Sequence, residues 1–494
     1  MKMGIPTDMF DQVWAELEKS PDPMGRLVGS FFRDIFRLNA EGKFNTIGLD
    51  PATMVIGGYG LGLWPVVSIT TTNQEVFRDW LFGYITKAGI NLKPWQGKDG
   101  VYDLNCDHHN IFACVIAFDG HRMNTSVMPK IFAEEMIGYL NGTKRPTKSI
   151  RDSKVLLAMA QNAGAGSHNQ TWISLLRITQ TLLGQGQGLN KKLLIPLLDM
   201  SKRLPPECIK EYLSIVGAMP DIYMGQDKYQ PGKPLENRGL WRFTGKAKEV
   251  AGTLTASDLY TPPADQSLIS FMFTVNVPAW LTAAQNLMQS MVQTPYQCPQ
   301  LSQGPFEPQK LQQALMMTQF VPPFARGIKG ISASLLDFKM SPQGIPDVDA
   351  MVILTADQAP MLMNLIKSNP QFKDFEIPQT DAPASTIRGI PLPPPAQGIK
   401  IKVTQNGIGL AMGTKAIQLL EERMKSVTPG AAPMLQINYQ VSAILKLVRE
   451  LSQQAKAPVD PMFYEMMKSS IQQIDIRLLF NGKGFNVTSK LEMD

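Results

Sequence analysis

The chain has 494 residues, is 44% hydrophobic and 18% charged, and carries a formal net charge of +6 with four cysteines. That length and apolar share predict roughly two to four domains with full cores and exclude wholesale disorder. The charge is spread thinly, with no Lys/Arg run beyond two residues, which excludes a nucleic-acid footprint, and no apolar stretch is long enough for a membrane span.

In chain order, Asp8 caps a first helix with Phe10, Val13, Trp14 and Leu17 on one face; Pro21 and Pro23 end it. Leu27, Val28, Phe31, Phe32, Ile35 and Phe36 stripe a second helix. Strand 54–56 leads through the glycine-rich stretch Gly57-Gly58-Tyr59-Gly60-Leu61-Gly62 into strand 64–70. Asn73 then caps a helix whose buried face is Val76, Phe77, Trp80, Leu81, Tyr84 and Ile85, because an Asn oxygen accepts a free amide proton of the first turn. Residues 101–105 and 111–118 form a hairpin, Pro129 starts a helix carrying Met136, Tyr139 and Leu140, and residues 144–149 read as a linker.

The middle region is less regular. Trp172, Leu175, Leu176, Ile178, Leu182 and Leu183 stripe one helix, and Leu193, Leu194, Leu197 and Leu198 another. Residues 241–243 and 249–254 read as strands that pair with strand 271–275. Asn276 then caps a helix carrying Trp280, Leu281, Ala284, Leu287, Met288 and Met291. Residues 266–306 contain no charged side chain.

Strands 331–338 and 350–354 follow, then a helix capped by Asp357, a Pro-rich loop at 390–395, and strands 399–403 and 408–412 turned at Asn406-Gly407, a strong hairpin signal. Thr414 caps a helix with Ile417, Leu420 and Met424. Strand 435–438 runs through Asn438 into a helix striped by Val441, Ile444, Leu445, Val448 and Leu451, and strands 471–480 and 485–491 close the chain.

Residues 350–438 thus read β-α-β-β-α-β, the order of the split β-α-β or ferredoxin-like sandwich, and residues 64–140 repeat it without the last strand. The expected fold class is α+β: two ferredoxin-like lobes, a degenerate internal duplication, around a mixed α/β middle region. The expected division is 1–149, 150–306 and 307–494.

No motif carries catalysis. The glycine-rich stretch is followed by a strand, so no helix amino terminus meets a pyrophosphate. Asp107-His108-His109 reads as a solvated turn, Gly166-Ser167-His168 lacks the nucleophile-elbow frame, and Asp347 and Asp349 end a loop. No catalytic residue, metal ligand or cofactor is assigned. Cys208 and Cys298 both flank proline-rich breaks and are expected to form a disulfide, with Cys106 and Cys114 a second pair; this points to an oxidising compartment.

The recurring strand plus capped helix, the Pro-rich loops and the paired distant cysteines resemble uncharacterised exported proteins of Gram-negative bacteria. The resemblance implies a periplasmic or extracellular location, in a mature or truncated form without its leader, with the cytoplasm as the alternative; it transfers no functional residue. The expected function is non-enzymatic: a cell-envelope or surface protein that binds a partner protein or an apolar small molecule or lipid between its lobes. Phe271, Phe273, Trp280, Leu287 and Met291 are the expected ligand-binding residues. The alternative is a hydrolase or transferase with a site assembled from distant residues.

Overall fold

The computed structural model describes residues 14–106, 111–146, 153–166, 168–193, 204–228, 230, 233–304, 306–340, 346–389, 392–393, 396–455 and 472–492. Asp8, Phe10, Val13, the Asp107-His108-His109 turn, linker residues 147–149, Ser167, Leu194, Leu197, Leu198, loop residues 390, 391, 394 and 395, and Ile471 lie outside them. The chain divides into two compact units. The described residues of the first fall within Met1–Ser153 and Gln180–Arg203, those of the second within Lys154–Thr179, Leu204–Val459 and Ile471–Asp494.

The first unit is built on six antiparallel strands: β1 (Ile56–Leu61), β2 (Trp64–Thr70), β3 (Lys93–Pro94), β4 (Val101–Asp103), β5 (Phe112–Asp119) and β6 (Arg122–Pro129). Their order in the sheet is β1-β2-β6-β5-β4-β3. Helices α1 (Pro23–Glu41), α2 (Gln74–Lys87) and α3 (Ala133–Leu140) cover it. Strand β5 shows why both faces are covered. Its alternate residues Ala113, Val115 and Ala117 pack with Met136, Ile137 and Leu140 of α3. Cys114, Ile116 and Phe118, pointing the other way, pack with Phe77, Leu81 and Ile85 of α2. A strand apolar at every position cannot leave either face in water.

The second unit holds helices α4 (Val155–Ala163) and α5 (Pro206–Ala218), α6 (Val277–Gln293), α7 (Pro308–Gln319), α8 (Ala359–Ser368), α9 (Thr414–Arg423) and α10 (Val441–Ala455). Its strands are β7 (His168–Ser174), β8 (Asp221–Gln226), β9 (Leu235–Arg242), β10 (Ser257–Leu259), β11 (Ile269–Thr274), β12 (Ile328–Met340), β13 (Pro346–Ala356), β14 (Ser385–Thr386), β15 (Lys400–Thr404), β16 (Gly407–Met412), β17 (Thr428–Ala431), β18 (Leu435–Gln440), β19 (Gln473–Asn481) and β20 (Gly484–Glu492). Twelve of them make one sheet, in the order β14-β15-β16-β13-β12-β11-β18-β19-β20-β9-β8-β7, while β10 pairs with β17. One sheet therefore draws strands from both sides of residue 306.

The protein is a mixed α/β chain with antiparallel sheets. In each unit the connection between two strands that flank a third contains a helix and further short strands: β2-α2-β3-β4-β5 around β6, and β13-α8-β14-β15 around β16. In each, the preceding strand (β1 or β12) forms a hairpin onto the first. The strand expected to complete the second lobe does not take that place: β18 pairs with β11 and β19, and β12 lies beside β13 instead. The helices also differ from a two-layer sandwich. Met363 of α8 packs with Ile401 and Val403, whereas Leu420 and Met424 of α9 pack with Ile353 and Ala411. Ile401 lies opposite Leu410, the neighbour of Ala411, so the two helices cover opposite faces.

Several local expectations hold. The Asn73 side chain accepts from Val76 N at 3.2 Å and Asn276 from Ala279 N at 3.1 Å. The Asn406-Gly407 turn joins β15 to β16 in the expected hairpin. Others are corrected. Residues 249–254 do not form a strand: Gly245–Ala251 is a helix, whose Lys246-Ala247-Lys248-Glu249 run favours that state. Trp172 sits on β7, not a helix, and its indole donates to Asp221 on β8 at 3.2 Å. Trp241, on β9, faces β8 and β20 rather than β11. Asp357 pairs with Lys329 at 2.9 Å instead of capping α8. Asn438 is buried inside β18, opposite Asp475, and is not a cap.

Two partly buried carboxylates in the second unit link its stability to pH. Lys490 donates to Glu236 at 2.7 Å and, against the upward push of burial and with help from Arg238, holds that carboxyl below its ordinary value. Burial pushes Glu421 upward, but the Ala384 N–H and the Lys402 ammonium outweigh it and leave the carboxyl depressed. A depressed folded value gives stabilisation that is complete above the ordinary glutamate value of 4.5 and is lost as pH falls through the folded value. Denaturant titrations are expected to show stability declining as pH drops below that value, with a shallower decline in Glu236→Gln. An identical acid limb in that variant would remove the assignment.

Candidate functional site

The first unit contains an apolar cavity of about 370 Å³ between α1, α2 and one face of the sheet. Its walls follow from simple patterning. Leu27, Val28, Phe31, Phe32 and Ile35 recur at helical spacing along α1, and Phe77, Leu81 and Ile85 along α2. Opposite them the sheet presents one set of cross-strand partners: Ile56 with Ile69, Ile69 with Met123, and Thr125 with both Val67 and Ile116. Phe44, Leu49, Met54 and Leu104 close the ends. No charged side chain is among the lining residues, and Thr125 brings the single hydroxyl.

Exposure separates a floor from a mouth. Phe44, Leu49, Phe77, Leu81, Ile85, Leu104, Ile116 and Met123 are buried. Four lining residues face solvent: Val28 (36%) and Phe32 (39%) on α1, and Ile56 (63%) and Val67 (43%) on β1 and β2. The opening therefore lies between α1 and the β1–β2 hairpin. Helix α1 is anchored to α2 away from that opening. Arg26 Nη2 donates to Ala88 O at 2.8 Å, and the Tyr84 hydroxyl donates to Asp34. Phe31 adds a ring contact to Trp80 at 5.3 Å.

The cysteines stand in two pairs at disulfide distance. Cys208 and Cys298 have Cα atoms 4.5 Å apart, and Cys106 and Cys114, beside the cavity floor, 5.8 Å. The expected ligand residues lie elsewhere, in the second unit. Phe271 and Phe273 project from the same face of β11, beside Ala333 and Ile331 of β12. Trp280, Leu287 and Met291 lie on α6, which has no buried residue. Trp280 donates its indole proton to Leu254 O at 3.1 Å. Phe271, Phe273, Trp280 and Leu287 are 36–58% exposed. None of the five lines the 370 Å³ cavity.

Two of the remaining candidates have structural explanations. Asp349 Oδ1 accepts from Ala416 N at 3.1 Å, at the start of α9. The glycine-rich stretch is the edge strand β1 and its turn. Among the described residues no group of three or more His, Cys, Asp or Glu could hold a metal ion, and no helix is long and apolar enough to cross a membrane. The sequence patterning identified both helical stripes of the cavity, but each stripe alone is what any core helix shows. What distinguishes these two is the cavity they line together with one face of the sheet, which neither stripe encodes. Comparison with family models, curated proteins and solved structures finds no match for this chain.

Proposed function

We propose that this protein is a non-enzymatic binder of an apolar ligand, acting at the cell envelope or surface, with its site in the first unit. The observation that carries the reading is the cavity: eighteen lining residues without a charge, a buried floor and one open side. Its volume falls in the range of small-molecule sites, roughly 300–1,000 Å³. The two cysteine pairs at disulfide distance support an exported location. The recurrence of β1-β2-β6-β5 as β12-β13-β16-β15 supports an internal duplication of split β-α-β lobes.

The test is titration of the solvent-extracted protein with an environment-sensitive apolar dye. One saturable site is expected, weakened by about tenfold or more in Thr125→Trp, whose indole would occupy the cavity at the cost of about two methylenes of ligand contact. Unchanged thermal unfolding of that variant shows that the fold is retained. No saturable binding, or equal binding by a folded Thr125→Trp, would overturn the proposal.

A further inference from the structure

The glycine-rich edge strand explains the shape of the cavity mouth. Gly58 lies directly opposite Val67, and Ile56 opposite Ile69, so Gly58 belongs to the cavity face of the sheet between two side chains of the rim. A Cβ placed on Gly58 would meet only Val66 O, at 3.8 Å. Position 58 therefore has space for a side chain and no steric need for glycine. Gly58 thus places no side chain beside Val67, on the side of the mouth where Ile56 and Val67 face solvent, as Val28 and Phe32 do on α1.

The ligand chemistry follows from the same surfaces. A volume of about 370 Å³ holds about a dozen methylene-sized groups, taking each as comparable to a water molecule's share of about 30 Å³ in the liquid. A buried charge in this lining would have neither a counter-charge nor more than one hydroxyl to meet it, so a polar end cannot be carried inside. The occupant therefore enters tail first and leaves its polar end at the mouth.

We propose that the cavity takes a single unbranched hydrocarbon chain of about a dozen carbons, admitted through the slot that Gly58 leaves open and bound without regard to the headgroup outside. This rests on the apolar-ligand reading and specifies it. The tail-first geometry makes every methylene up to the cavity's length count, and those beyond it protrude into water.

The experiment is displacement of the apolar dye by n-alkyl compounds of graded length, each below its micellar concentration, in three headgroup series: carboxylate, trimethylammonium and maltoside. Affinity is expected to rise about fourfold per added methylene, then level off near a dozen carbons, with matching slopes in all three series. Gly58→Ala should behave as wild type, whereas Gly58→Phe should weaken long chains by about tenfold or more by closing the slot. Dye binding without a chain-length slope, a strong preference for one headgroup, or full affinity in a folded Gly58→Phe would overturn this inference and leave the apolar-ligand reading standing. Absence of dye binding would remove both.

Discussion

Replacing Cys208 and Cys298 together by alanine is expected to lower the stability of the second unit by about 4–5 kcal/mol. The two residues are 90 positions apart and both are fully buried, so their bond closes a long loop that the unfolded chain would otherwise explore. The native side is already shaped for the contact. Glu211 of α5 accepts the Gln297 and Cys298 amide protons at 2.8 and 3.0 Å, which docks the Cys298 loop onto the helix that carries Cys208. Leu204, Tyr212, Ile215, Leu301, Tyr296 and Phe306 pack around the pair. The Cys106–Cys114 pair spans only eight residues and is worth about 2–3 kcal/mol on the same model. Guanidinium unfolding of the two double variants should rank them in that order. A smaller loss for Cys208/Cys298 than for Cys106/Cys114 would show that the long loop retains structure when unfolded.

The second large effect concerns Lys402 and Glu421. Lys402 sits on β15 with its side chain 9% exposed, whereas Glu421 on α9 keeps 32% exposure and also accepts the Ala384 amide proton. Breaking a buried ion pair costs about 3–5 kcal/mol, because the partner left behind is charged and desolvated. The costs should be unequal. Glu421→Leu strands the more deeply buried ammonium and belongs at the upper end of that range. Lys402→Met leaves a carboxylate that water can reach and that keeps a backbone donor, so its cost belongs at or below the lower end. The double variant should recover most of the loss, since two apolar chains of similar volume carry no desolvation penalty. A double-mutant cycle by chemical denaturation measures this, and equal single-variant losses would refute the asymmetry.

Local instructions were legible in the chain itself. Asn73 and Asn276 cap their helices as their chemistry demands, and Asn406-Gly407 turns the hairpin. The stripes Leu27 to Ile35 and Phe77 to Ile85 face an apolar interior, and Cys208 meets Cys298 from element ends beside prolines. These depend on contacts within a few residues or on a periodicity that one helix imposes. Asp357 and Asn438 carried the same capping signal and were drawn elsewhere, one to Lys329 and the other into β18, because a long-range partner outweighed a local bond.

What the sequence by itself determined is which residues turn, cap and hide from water. Only the tertiary structure decided which strands lie side by side, and therefore that β12 rather than β18 flanks β13 and that α8 and α9 cover opposite faces. The cavity belongs to that second group. A void is a difference between surfaces that meet, and no periodicity encodes it. Here it lies where the stripes of α1 and α2 meet the Ile56, Val67, Ile69, Met123, Thr125 and Ile116 face of the sheet. The rings at Phe271, Phe273 and Trp280 carried the stronger apolar signal, yet their neighbours leave them at the surface. Hydrophobic burial has no direction of its own, so the identity of an apolar residue cannot say whether it fills a core or lines a site.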